Sequence, residues 1–274
     1  MLDILKIEIN RSFKNKLFLV SLILSSALVV WFSIERLPVC IEKNNTFSTQ
    51  FIPDDFLEIS FTNWLGSHNI FLQQNIFYLI LPLLVTIPYG GSFFDDINSG
   101  YIKSISVRAS KKDYLVAKYV SVFISGGVSA IFPMILSFII SSAFLPTMLP
   151  ESSYIYTNIW SVNKWADLFF KFPMIYVFLY MLLLFIFSGI VASMSLLITY
   201  CSFKSFLPLI FPFFIYICSS LLFELINMRA FSPRNFLTPN DVDGTTFSVV
   251  IICILFFIIS FVPYYFIGVK KDVL

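Results

Sequence analysis

The sequence has little charge and almost no histidine. Only 12% of its 274 residues are Asp, Glu, Lys or Arg, whereas an ordinary soluble domain has about 25%. Histidine occurs once, as His68, and the four cysteines have no paired spacing. These shortages argue against a soluble domain, a disulfide-stapled secreted domain and a zinc site built from Cys and His.

A nucleotide-binding loop is also missing. No segment of the sequence matches G-x-x-x-x-G-K-[ST], the pattern in which backbone amides and a lysine hold nucleotide phosphates. If the chain uses ATP, the ATPase must therefore be a separate chain. We also expect the chain to be no enzyme, to hold no cofactor of its own and to bind no nucleic acid.

What is abundant is apolar sequence, at 58% of residues with 34 Phe. A membrane-spanning helix needs about 20 mostly apolar residues. Six stretches qualify: Leu17–Ile34, Asn75–Phe94, Tyr119–Leu145, Met174–Tyr200, Phe206–Ile226 and Phe247–Gly268. We predict an all-α membrane protein with a single transmembrane domain over 1–274, in which a six-span bundle fills residues 17–268.

The distribution of basic residues predicts the orientation. Of the 18 Lys and Arg, twelve fall before span 1, after span 6 or in the loops between spans 2 and 3 and spans 4 and 5. The positive-inside rule places that side in the cytoplasm. Both termini, including a tail at 269–274, are therefore predicted to be cytoplasmic in a multi-pass protein of the plasma membrane.

Residues 1–16 have the spacing of an amphipathic helix. Leu2, Leu5, Ile9 and Phe13 recur at helical intervals, with charged residues between them. Such a helix lies in the interface between the headgroups and the acyl chains. The alternative is a plain basic flank that only fixes the topology.

One compact charged segment, residues 93–114, separates the second and third apolar stretches. Asn98-Ser99-Gly100 predicts a helix end, because Gly can adopt the left-handed conformation at a C-terminus. Ser110-Lys111-Lys112-Asp113 predicts a capping box at the start of the next helix. Between them, Tyr101–Ala109 can form a short amphipathic helix beneath the membrane. A loop that serves only topology is the alternative.

This layout resembles the transmembrane subunit of type-2 ATP-binding-cassette (ABC) exporters. In that family an acidic pair precedes a Gly at the end of the second span, as Asp95 and Asp96 precede Gly100 here. A short coupling helix, a basic turn and a later Lys follow, matched by Tyr101–Ala109, Val107–Tyr114 and Lys118. The chain departs from the family in using Asp where Glu is commoner, and in Lys111/Lys112 where Pro/Arg combinations are frequent.

The resemblance implies a mechanism and partners. A cytoplasmic ABC ATPase subunit would bind ATP and Mg, grip the coupling helix and drive export of an amphipathic cargo such as a peptide antibiotic or toxin, a lipid or a lipid-linked molecule. A second permease subunit would complete the membrane part. The residues implied in ATPase coupling are Asp95, Asp96, Gly100, Tyr101, Lys103, Arg108, Ser110, Lys111 and Lys112. Asp95 and Asp96 would hold the foot of the second span through ion pairs or helix caps.

Two other functions stay open at the level of sequence. A membrane anchor or sensor could dock a cytoplasmic partner through the same charged segment. A secondary carrier would need buried ionisable groups in its spans, and Glu224 is the one acid inside an apolar stretch. Glu224 is therefore a candidate functional residue, with an interfacial pair to Arg229 as the alternative.

Two pairs of small residues, Gly126/Ala130 and Gly189/Ser193, predict close helix packing. Packing within one subunit is the favoured interpretation over a seam between two subunits.

Overall fold

A computed structural model describes residues 1–49, 57–67, 71–107, 110–150, 163–201, 204–239 and 245–270. Within these ranges the regular structure is helical throughout. Two short 3-10 turns occur at Ser60–Thr62 and Arg229–Phe231. The helices are α1 (Leu2–Lys14), α2 (Lys16–Thr49), α3 (Leu72–Thr86), α4 (Ser92–Asn98), α5 (Tyr101–Ser106), α6 (Lys111–Phe144), α7 (Ala166–Lys171), α8 (Pro173–Ile198), α9 (Leu207–Leu225), α10 (Pro233–Phe236) and α11 (Thr246–Lys270).

Five of these helices, α2, α6, α8, α9 and α11, are long and apolar enough to cross a membrane. Each overlaps one of the predicted apolar stretches, so the all-helical, multi-pass class is confirmed. α2 and α6 both have 34 residues, or about 51 Å at 1.5 Å per residue. They therefore extend well beyond a hydrocarbon core of about 30 Å.

The second predicted span, Asn75–Phe94, is not one continuous helix. α3 has 15 residues and ends at Thr86, and turns over 87–91 separate it from α4. Pro88 has no N–H to donate to the carbonyl of Leu84. The Ser21 hydroxyl of α2 donates to that carbonyl instead, at 2.7 Å, and the Asn15 amide donates to the Pro88 carbonyl at 2.9 Å. The break is thus held by a side chain from the start of α2 and by Asn15, which lies between α1 and α2.

The centre of the bundle is the contact between α6 and α8. A methyl group added at Gly126 would lie 2.4 Å from the Ala192 Cβ, and one at Gly189 would lie 2.8 Å from the Phe123 carbonyl oxygen. Only residues without a side chain allow the two backbones to approach this closely. The small-residue pairs therefore serve packing within the subunit, as predicted.

Contacts at the helix ends show how the bundle is arranged. At one end, which we call the α1 end, the Tyr264 hydroxyl of α11 donates to the Leu115 carbonyl of α6. At the other, the Glu58 end, the Ser141 hydroxyl near the end of α6 donates to the Asn63 carbonyl. The loop at 57–67 packs over this second end, with Trp64 only 2% exposed.

Candidate functional site

Four charged side chains meet at the α1 end of the bundle. Glu8 and Arg11 come from α1, Asp96 from α4 and Lys118 from the second turn of α6. The side chains of Glu8 and Lys118 are fully buried and that of Asp96 is 3% exposed, while Arg11 keeps 37% of its side chain exposed. We call these four residues the charge cluster.

Each acid of the charge cluster contacts both bases. Arg11 spans the two carboxylates, at 2.7 Å from Glu8 Oε1 and 2.9 Å from Asp96 Oδ1. Lys118 Nζ lies 3.2 Å from Glu8 Oε2 and also donates to Asp96 Oδ2. Buried charges are stable only when paired and hydrogen-bonded. With two acids and two bases, the cluster is neutral and fully paired.

Aromatic side chains close the cluster against solvent. The hydroxyl of Tyr89 donates to Glu8 at 2.8 Å, and that of Tyr114 donates to Asp96 at 2.6 Å. Lys118 Nζ lies 4.3 Å from the centre of the Tyr89 ring, and the Arg11 guanidinium lies 4.3 Å from that of Tyr101. Cation–π contacts of this kind are stronger where water is excluded.

The cluster shifts the ionisation of its members outside the spans. Burial alone would raise the pKa of Asp96, but the charge of Lys118 and the hydrogen bonds from Arg11, Lys118 and Tyr114 outweigh it, so the pKa is lowered. Burial would lower the pKa of Arg11, yet its bond to Asp96 and the charges of Asp96 and Glu8 raise it. Both groups are therefore held in their charged forms.

Local sequence explains how α4, α5 and α6 come together here. Gly100 has φ of 72°, the left-handed conformation predicted for it, and this turn separates α4 from α5. Ser110 caps α6, where its hydroxyl accepts from the Asp113 backbone N–H at 3.2 Å. These two stops make α5 a helix of only six residues. Its Tyr101 and Ile105 pack against the core beside Ile4 of α1.

The other residues of the predicted coupling site have different positions. Asp95 is exposed, although it is adjacent to buried Asp96. Lys103, Ser110 and Lys112 are exposed at the surface around α5, and Lys111 is half-buried. Arg108 lies outside the described residues. Asp96 and Tyr101 are thus the two predicted site residues whose side chains contact the charge cluster.

Glu224 belongs to no site within the described chain. Both Glu224 and Arg229 are exposed, and no ion pair joins them. The interfacial pair between them therefore stays a prediction.

Sequence reasoning missed Glu8 and the burial of Lys118. All four residues of the charge cluster lie outside the predicted apolar stretches, so a search for charged groups inside those stretches identifies only Glu224. One sequence feature pointed to the charge cluster. Glu8 and Ser12 lie four residues apart on one face of α1, and that polar face is buried, whereas Leu2 is 78% exposed and Ile7 52% exposed.

A second ionic network lies at the Glu58 end. Glu58 is bound by Lys43 at 2.8 Å and Arg36 at 3.2 Å, both from the end of α2. Asn44 forms two hydrogen bonds with the Glu58 backbone. Although burial would raise the pKa of Glu58, hydrogen bonds from Lys43 and Asn63 and the charge of Arg36 lower it. This network fastens the 57–67 loop to α2.

Comparison with protein-family models, with curated proteins and with solved structures finds no match to this chain.

The charge cluster is a paired ionic contact between helices. Every carboxylate of the charge cluster is paired with a base, and within the described residues no group of three His, Cys, Asp or Glu side chains could hold a metal ion. The cluster instead joins α1, α4 and α6, the three helices that surround α5.

Proposed function

We propose that this chain is the transmembrane subunit of an ABC exporter, driven by ATP hydrolysis on a separate cytoplasmic ATPase subunit. The observation that carries the proposal is the charge cluster, which joins α1, α4 and α6 and is contacted by the short helix α5 through the Tyr101 ring on Arg11. An ATPase that moves α5 would act on a buried, fully paired ionic joint. Such joints resist separation, because removing one partner leaves an uncompensated buried charge.

The surface around α5 suits a protein partner. Lys103 and Lys112 are exposed there, and Val107 is 87% exposed. A mixed basic and apolar surface can steer an acidic partner and then bury apolar area against it. The predicted topology puts this surface in the cytoplasm, where ATP is available.

The membrane part of the proposal has six passes. Five are the long helices, and the sixth is the broken α3–α4 pass, whose ends contact the same two ends of the bundle. Two such subunits, or one with a related permease, would enclose the export path. The apolar, Phe-rich spans are compatible with an amphipathic cargo.

A secondary carrier is less favoured by the cluster. Carriers expose an ionisable group to a path where it can exchange an ion or a proton. Here Glu8, Asp96 and Lys118 are closed off by tyrosines and neutralised by one another. An anchor or sensor would use the same surface around α5, and a transport assay separates it from an exporter.

The first experiment tests the partner. Affinity-tagged chain is purified in mild detergent from native membranes, and co-purifying proteins are identified by mass spectrometry. We expect a Walker-motif ATPase that is lost in the double variant Lys103→Glu/Lys112→Glu, because the exposed basic surface is reversed. Lys270→Glu changes an exposed basic residue that is predicted on the same side but lies at the end of α11, and it should retain the ATPase.

Activity then distinguishes an exporter from an anchor. Reconstitution with the captured ATPase should raise ATP turnover above that of the ATPase alone. Absence of any Walker-motif ATPase among the bound proteins, or a reconstituted complex with unchanged ATP turnover, would contradict the proposal.

A further inference from the structure

Two adjacent cavities open at the α1 end, where α1 meets α2 and where α3 gives way to α4. Their volumes are about 290 and 350 Å³. Four residues line both of them: Asn15, Tyr89, Ser92 and Asp95. Together they form one continuous groove, which we call the Asp95 groove. Its size is in the range of sites for small molecules, which begins at about 300 Å³.

Most polar groups of the groove already have partners. Arg11 and Asp96 bind each other, Tyr89 donates to Glu8, and Asn15 donates to the Pro88 carbonyl. Lys14 and Asp95 differ from them. Both charged side chains line the groove, and neither forms an ion pair or hydrogen bond within the described chain. The groove thus offers one cation and one carboxylate to a ligand.

The groove lies at the level where spanning helices begin. α2 starts at Lys16 and α9 at Leu207, and the groove is lined by residues next to both starts. Leu17 is 47% exposed and Phe206 is 50% exposed on its apolar side. In a membrane, the charged part of the groove would meet lipid headgroups, and Leu17 and Phe206 would meet the first methylenes of the acyl chains.

We propose that the Asp95 groove binds the headgroup of an aminophospholipid, with phosphatidylethanolamine as the type. The primary ammonium donates hydrogen bonds to the Asp95 carboxylate, and the phosphate lies towards Lys14. A choline headgroup has no N–H to donate. An anionic headgroup without an amine brings its phosphate to Lys14 but leaves Asp95 without a cation. The site requires no ATPase and is therefore independent of the proposed export function.

Native mass spectrometry of the purified, delipidated chain tests the site. Dioleoyl lipids with ethanolamine, choline and glycerol headgroups are added separately, and the lipid-bound fraction is measured. We expect phosphatidylethanolamine to bind roughly tenfold more tightly than phosphatidylcholine, as one charge-assisted hydrogen bond predicts. Asp95→Asn should remove most of this preference, and Lys14→Gln should weaken binding of all three lipids.

Matched controls are available on α1. Asp3→Asn and Lys6→Gln change exposed residues of the same charge outside the groove, and neither should alter the preference. Circular dichroism verifies that each variant is folded. Soluble phosphoethanolamine at equal concentration should compete only weakly, because it lacks acyl chains to contact Leu17 and Phe206.

Three results would overturn the proposal. These are equal binding of ethanolamine and choline lipids, an ethanolamine preference that survives Asp95→Asn in a folded variant, and competition by soluble phosphoethanolamine as strong as by the lipid. The first two would exclude the contact with Asp95, and the third would exclude a lipid as the ligand.

Discussion

Lys118 is a full positive charge without contact to water, so its stability depends on Glu8 and Asp96. Transfer of an ammonium group out of water costs several kcal/mol, which paired carboxylates at hydrogen-bonding distance can offset. The Tyr89 ring below it adds a further favourable contact. The balance between two acids and two bases, more than any one hydrogen bond, stabilises the charge cluster.

Removal of one charge should therefore cost more than removal of a pair. We expect Lys118→Met to destabilise the protein by about 3–5 kcal/mol, because Glu8 and Asp96 are left with Arg11 alone. The double variant Asp96→Asn/Lys118→Met leaves a neutral Glu8–Arg11 pair and should be more stable than Lys118→Met. Thermal unfolding in detergent measures both, and the double-mutant cycle isolates the coupling between the two sites.

Lys112→Met on the same helix serves as the control, since Lys112 is exposed, and it should change the unfolding temperature little. Strictly additive effects of the Asp96 and Lys118 substitutions would show that the two residues are not coupled.

Because the pKa of Asp96 is lowered in the folded protein, the stability of the protein should depend on pH. A carboxyl group whose pKa is lower in the folded state binds protons more readily when unfolded. Its stabilising contribution is therefore complete above the unfolded pKa of about 3.9 and is lost as pH falls through the folded value. Glu58, whose pKa is also lowered, acts in the same direction.

We expect the unfolding temperature to be nearly constant at neutral pH and to fall in acid. Asp96→Asn should be less stable at neutral pH and should lose less stability on acidification, because position 96 no longer takes up a proton. Scanning calorimetry or a thermal shift series from neutral pH to about pH 3 records the slopes. Parallel slopes for the two proteins would refute the role of Asp96.

The ends of a helix could be predicted from the sequence where the helix is defined by its own apolar run, and not where it is stabilised by contacts with distant residues. α9 and α11 end within two residues of the predicted stretches, because a long apolar run defines each of them. α2 continues far beyond Ile34 because Arg36, Lys43 and Asn44 dock on the 57–67 loop. No apolar run could have revealed that extension.

The same difference between local and distant contacts explains why the sequence did not predict most of the charge cluster. Gly100 and Ser110 act on their own neighbours in sequence, and their turn and cap were predicted correctly. Asp96 and Arg11 are 85 positions apart, and Lys118 and Glu8 are 110 apart. Such partners are selected by the packing of α1 on α6. From sequence alone only the Asp96–Gly100–Lys118 pattern was visible, through a family resemblance.

Because α6 and α8 approach so closely, a larger residue at their contact should destabilise the protein. Gly126→Ala would put a methyl group 2.4 Å from the Ala192 Cβ and 3.1 Å from the Val85 carbonyl. We expect a loss of about 1–3 kcal/mol from overpacking. Ala192→Gly removes the nearer obstacle, so the double variant should recover part of the loss in a thermal unfolding assay.

Gly91→Ala is the matched control for this pair. The nearest atom to an added methyl group there is the Leu209 Cδ2 at 3.8 Å, and Gly91 has φ of −81°. It should leave the unfolding temperature almost unchanged. If the Gly126→Ala protein were as stable as the parent, α6 and α8 could move apart to accommodate the methyl group at no cost, and the close approach would not be required for stability.

At the scale of the whole molecule, the two ends of the bundle carry different polar networks. The α1 end has the neutral charge cluster and the exposed basic residues around α5, and the Glu58 end has one carboxylate fixed by two bases from α2. If both ends face water on opposite sides of a membrane, α5 and the 57–67 loop must lie on opposite sides. That arrangement requires the broken α3–α4 pass to cross the bilayer together with the five long helices.

Cysteine labelling tests this crossing directly. In a variant whose four cysteines are changed to Ser, single cysteines replace Ser104 on α5 and Glu42 near the end of α2. We expect an impermeant maleimide to label Glu42→Cys in intact cells and Ser104→Cys only after permeabilisation, because the excess of Lys and Arg predicts a cytoplasmic location for the α1 end. Lys270→Cys, at the end of α11, should behave like Ser104→Cys. Labelling of Ser104→Cys in intact cells would put α5 outside, where no ATP-driven partner could reach it.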